Sequence, residues 1–160
     1  MATSQKQIAG WQIVFDKAAT EAAYSALPLD MGCDCSSCQN YRACVPNFPN
    51  DVYAFFEELG IELAKPSEVY TLQNGLEADT VFYGGFYHLV GSYLSGNDVW
   101  QPIAKNIKTQ NATALYKIAD GFEIGFTKNL DLVPDNFPLP ALQMEINFTL
   151  PWVLKEAQPY

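Results

Sequence analysis

The run Thr80-Val-Phe-Tyr-Gly-Gly-Phe-Tyr-His-Leu-Val-Gly-Ser-Tyr-Leu94 decides how the chain is read. Its aromatic and β-branched residues belong to a long strand, and alternation puts Phe82, Phe86, His88 and Val90 on one face. Gly84 and Gly85 interrupt it, where a bulge or a close approach by another backbone would use the missing side chains. Upstream, Glu68–Gln73 reads as a strand that reaches the long run through Asn74-Gly75. Downstream, Ser95-Gly96-Asn97-Asp98 turns the chain. Residues 99–111 read as a loop with one helical turn. Ala114–Ala119 and Phe122–Thr127 flank Asp120-Gly121, a two-residue hairpin signal that predicts a type I′ turn. Residues 128–141, with Pro134, Pro138 and Pro140, read as a loop. Met144, Ile146, Phe148 and Leu150 alternate with polar residues in a last strand that Pro151-Trp152 stops.

The first third of the sequence keeps a different period. Residues 1–7 are polar and read as a frayed end, and Trp11, Ile13 and Phe15 form a short strand. Asp16 is placed to cap a helix from Lys17 to about Leu27, with Ala18, Ala22 and Tyr24 for packing and Pro28 to end it. A second helix runs from Asp51 to Leu59. Val52, Phe55, Phe56 and Leu59 supply its apolar stripe, and Gly60 is its stop. The expected architecture is one α+β domain over residues 1–160: two N-terminal helices packed on an antiparallel sheet of about five or six strands.

Between these helices lies Met31-Gly-Cys-Asp-Cys-Ser-Ser-Cys-Gln-Asn-Tyr-Arg-Ala-Cys44, which holds every cysteine of the chain and its one arginine, Arg42. Cys35-x-x-Cys38 is a metal half-site, Cys33 adds a third sulfur, and Cys44 could close a tetrahedral shell after a five-residue excursion. The stretch is expected on a connection between regular elements. Zinc is the expected ion, because neither common iron–sulfur spacing is present. His88 is the alternative fourth ligand. It is the sole histidine, which excludes sites needing two imidazoles, and on its apolar face it also reads as a hydrogen-bonded core residue. A Cys–His nucleophilic pair is a further alternative. Arg42 could meet an anionic ligand, or form a surface pair with Asp34.

Trp11-x-Ile-x-Phe-Asp16, Cys33-x-Cys-x-x-Cys-x-Asn-Tyr41, Phe55-Phe-x-x-Leu-Gly-Ile61, Tyr83-Gly-Gly-Phe-Tyr-His-Leu-Val-Gly91 and Pro151-Trp152 together resemble a family of small bacterial proteins of unassigned activity. The resemblance spans nearly the whole chain and implies a cytoplasmic protein. Its pattern includes Cys33, Cys35 and Cys38 but not Cys44.

Composition sets the outer bounds. With 18 acidic residues against 9 basic ones, the net charge of −9 provides no footprint for nucleic acid or anionic membranes. Only 17% of residues are charged and 14% are aromatic, so a protein partner or a second copy is expected to cover some of the surface. No signal core or membrane-length run is present, and the expected location is the cytoplasm. The sequons Asn111-Ala-Thr113 and Asn147-Phe-Thr149 are then coincidental. Three functions stay open: a zinc-stabilised binding or adaptor module, an enzyme with an open cysteine-ligated zinc, and a metal-free thiol-dependent redox or hydrolytic protein.

Overall fold

The structure is a computed structural model that describes residues 3–29, 33–110 and 115–160. It is α+β: three helices accompany a seven-stranded antiparallel sheet and a separate two-stranded hairpin. In chain order the elements are β1 (Ser4–Ile8), β2 (Trp11–Phe15), α1 (Lys17–Ala26), α2 (Ser36–Cys44), α3 (Asn50–Leu59), β3 (Glu68–Asn74), β4 (Thr80–Ser95), β5 (Trp100–Ala104), β6 (Ile107–Gln110), β7 (Tyr116–Ala119), β8 (Phe122–Thr127) and β9 (Ala141–Pro151). The order across the large sheet is β1-β2-β4-β9-β8-β7, with β3 also paired to β4.

Several expectations need correction, beginning with the sheet, which has seven strands rather than five or six. Within the polar start, residues 4–7 are not frayed, because β1 pairs with β2 from Ser4 opposite Phe15 to Ile8 opposite Trp11. The helices therefore follow two strands where one was expected. Residues 99–110 form the β5–β6 hairpin instead of a loop with a helical turn. The third helix, α2, is built from the cysteine stretch itself. At the Asp120-Gly121 turn, Ala119 pairs with Phe122 as the hairpin signal requires. Only Gly121, with φ of 78°, has left-handed backbone there, so the turn is not type I′. The Asn111 sequon lies outside the described residues, whereas Asn147 is buried within β9.

β4 is the spine of the sheet. Along one edge it pairs with β9 from Thr80 to Val90. Along the other, β3 takes its first half and β2 its last residues. Gly85 has the backbone of β3 where a Cβ would stand, and a Cβ on Gly84 would lie 2.6 Å from Tyr70 Cε2. The glycine pair is thus a close approach by a neighbouring strand. Between β3 and β2 the edge is filled by α1. Tyr24 OH donates to His88 O (2.6 Å) and accepts from His88 N (3.2 Å), Val90 N donates to Thr20 Oγ1 (2.9 Å), and Asp16 N donates to Val90 O (2.9 Å). A helix thereby satisfies backbone groups that would otherwise be buried without partners.

Asp16 caps α1, accepting from Ala19 N at 2.9 Å. The helix packs through Ala19, Thr20, Ala23 and Tyr24, while Ala18 and Ala22 face solvent. α3 buries Val52, Phe56 and Leu59 and ends on Gly60 in the left-handed region. The helix face of the sheet presents Val81, Tyr83, Tyr87 and Leu89 from β4 and Met144, Ile146, Phe148 and Leu150 from β9. Phe48, from the link between α2 and α3, lies edge-on to Tyr41, Phe122 and Phe148 with centroids 5.1–5.8 Å apart.

Candidate metal centre

α2 begins at the cysteines. Cys35 is its N-cap, Cys38 lies in its first turn, and Cys33 precedes it. The stretch is helical because Cys38, Tyr41, Cys44 and Val45 recur at the spacing of one helix face, and all four are buried. Two polar anchors fix that face on the sheet. Asn40 donates to Pro151 O (3.1 Å) and to Tyr83 OH (3.3 Å) and accepts from Val153 N (2.8 Å). Tyr41 OH donates to Tyr87 OH at 2.6 Å, and Tyr87 OH donates in turn to Leu63 O at 2.8 Å. The Asn-Tyr pair after the third cysteine is therefore what docks the helix.

With α2 docked, the sulfurs of Cys33, Cys35 and Cys38 lie within 4.8 Å of one another, the first two exposed and the third buried. Sulfurs around a tetrahedral zinc stand about 3.8 Å apart, given a zinc–sulfur bond near 2.3 Å. Cys33 and Cys35 are 3.2 Å apart, so admitting an ion requires only a small separation. The three thiols suit a soft or borderline cation.

Cys35 makes no regular capping hydrogen bond. Even so, the Cys38 amide, helped by hydrogen bonds from the Cys33 and Cys38 side chains, holds its thiol below the ordinary value. A helix N-terminus favours a thiolate there. Burial pushes the Cys38 thiol up, and the neighbouring sulfurs of Cys33 and Cys35 add to the shift. The trio thus combines a sulfur readied for deprotonation with one whose proton an ion would have to displace. Arg42 supports the loop from the last turn of α2, donating from Nη1 to Cys33 O at 3.2 Å and lying 3.5 Å from Asp34 Oδ1. Its role here is the surface pair with Asp34.

The remaining two candidates lie elsewhere. A continuous helix puts Cys44 about 9 Å along the axis from Cys38. Its sulfur donates to Pro151 O at 3.3 Å, and burial pushes its thiol up to about 11. His88 is buried with both ring nitrogens engaged, Nδ1 with Ser67 Oγ at 2.7 Å and Nε2 with Gln143 Oε1 at 3.1 Å. Among the described residues, the group of three cysteines is the one that gathers metal-ligating atoms.

The thiols open on a cavity of about 350 Å³, whose wall includes Ser37, Ser67, Tyr70, Thr71 and Leu132. Ser67 and Tyr70 did not stand out in the sequence. Neither sits in a recognisable motif, and only the packing of α2 against β3 brings them to the cysteines. No helix of the described residues is long and apolar enough to cross a membrane. A scan against family models and searches of curated proteins and of solved structures give no match to this chain.

Proposed function

We propose that this chain binds one zinc ion through Cys33, Cys35 and Cys38 and works as a binding module, the ion tying the approach to α2 onto the helix. The observation that carries this reading is the convergence of three sulfurs at a helix N-terminus that favours thiolate. Unpaired cysteines throughout the described residues agree with a reducing compartment, hence the cytoplasm, and with the resemblance to small bacterial proteins. The acidic charge argues against nucleic acid and anionic membranes. Exposed Ile103 and Ile107 on the β5–β6 hairpin support a protein partner or a second copy.

A second reading has its own support. Both other candidate ligands are engaged elsewhere, Cys44 with Pro151 O and His88 with Ser67 and Gln143. The fourth position of a zinc ion on the three thiols would then face the cavity and hold water, as in catalytic zinc sites. Elemental analysis of protein purified without strong chelator should find one zinc per chain. X-ray absorption should give three sulfurs and one light atom around it. Metal-free protein with all its thiols titratable would overturn both readings, and four sulfurs would overturn the open site alone.

A further inference from the structure

Ser67, His88 and Gln143 form a chain of hydrogen bonds that contains no cysteine, so the chemistry it implies does not depend on a metal. Its direction is fixed by the backbone. The Asp131 amide can only donate, and it meets a side-chain atom of Gln143 at 2.7 Å, so that atom is Oε1. The Gln143 amide nitrogen then donates to Asp131 Oδ2 at 3.1 Å and Glu145 Oε2 at 2.6 Å. Because Oε1 also faces His88 Nε2, that ring nitrogen carries the proton. Nδ1 is left with its lone pair, and Ser67 Oγ, at 2.7 Å, must donate to it.

The pair is held from both sides. Ser67 is anchored to β4 through its amide, which donates to Phe86 O at 2.9 Å. The imidazole stands between the rings of Phe86 and Phe137. Burial lowers the pKa of the ring, which favours the neutral form that can accept a proton. Ser67 itself is only partly buried. It lines both the thiol cavity of about 350 Å³ and a neighbouring one of about 210 Å³ walled by Leu27, Pro28, Leu132 and Pro134. A serine with its proton directed at a neutral imidazole and its oxygen beside two cavities has the arrangement of an activated nucleophile.

We propose that Ser67 is a nucleophile toward small uncharged esters, with His88 as its general base and Gln143 as a positioning residue that fixes the imidazole tautomer. Ser67 Oγ bonds to the acyl carbon as its proton passes to His88 Nδ1. The bond to the leaving alcohol breaks, and that oxygen takes the proton back from Nδ1. Water then attacks the acyl-serine, giving a proton to Nδ1 and releasing the acid as Ser67 recovers it. The Nε2 proton stays on the ring throughout, donated to Gln143 Oε1. An uncharged substrate suits a molecule of net charge −9 with Glu68 in the cavity wall.

The test uses the purified full chain. A fluorophosphonate probe should modify Ser67, located by peptide mass mapping, at least tenfold faster in folded protein than in urea. Hydrolysis of p-nitrophenyl acetate should fall at least tenfold in Ser67→Ala, a substitution at a partly exposed site whose folding is checked by circular dichroism. The only histidine gives an unambiguous nitrogen NMR spectrum, which should show the proton on Nε2. Labelling of Ser67 no faster than in urea, undiminished hydrolysis in Ser67→Ala, absence of hydrolysis in the parent protein, or a proton on Nδ1 would each overturn the proposal.

Discussion

At the scale of single residues, the clearest energetic commitments are polar groups placed where water cannot reach. Asp16 is buried and accepts from the Ala19 amide in the first turn of α1. Replacing it by alanine should cost about 1 kcal/mol. For a chain of this size, the melting temperature should then fall by about 2–4 °C. An unchanged melting curve would show that the cap contributes nothing. His88 and Glu145 give a pH dependence with opposing parts. Unfolded, the imidazole takes up a proton below about pH 6.5; folded, burial keeps it neutral to lower pH. The unfolded chain binds more protons in that window, so stability falls as the pH drops from about 6.5 toward the folded pKa. Burial raises the folded pKa of Glu145 above its ordinary 4.5. The folded chain there holds the extra proton, so stability falls as the pH rises from 4.5 through the folded value. Glu145→Gln removes the second effect and keeps an acceptor for Gln143. Thermal denaturation should therefore show a larger gain in melting temperature from pH 5 to pH 7 in this variant than in the parent protein. Equal gains would contradict the assignment.

Among the elements, α2 separates the two ways a cysteine can be used. Cys35→Ser or Cys38→Ser should abolish stoichiometric zinc binding, whereas Cys44→Ser should retain it and lose only the thiol's contact with Pro151. Zinc content by mass spectrometry of the three variants checks this, and loss of zinc from the Cys44 variant would return that sulfur to the shell. The elements also differ in how legible they were. α1, α3, β2, β8 and β9 follow from apolar period and capping residues, because their buried faces are local patterns. The cysteine stretch reads as a loop because metal half-sites sit on connections, although Cys38, Tyr41, Cys44 and Val45 mark a helix face. β1 has no apolar pattern, as its strand character comes from pairing with β2 through the turn at Ala9 and Gly10. The β5–β6 hairpin is likewise mostly exposed, so no buried face marks its period. The three clustered cysteines could be read from spacing. Ser67 and Gln143 could not, because β3 and β9 bring them to His88 from 21 and 55 residues away.

For the whole molecule, charge and topology carry the expectations. An acidic protein with one arginine should give no salt-sensitive complex with DNA or RNA in a gel shift at physiological ionic strength. A shifted band that disappears with added salt would refute this. A different consequence follows from the clamp between Asn40 and the backbone of Pro151 and Val153. Asn40 and Val153 are 113 positions apart in the chain. A ribosome adding about 5–20 residues per second needs about 6–23 s to travel from one to the other. During that interval the three thiols are already synthesised, but the tail that seats their helix is not. Assembly of the site thus waits for the strand that carries Pro151, and a nascent chain that had reached only residue 150 would hold its three thiols without the clamp on Asn40.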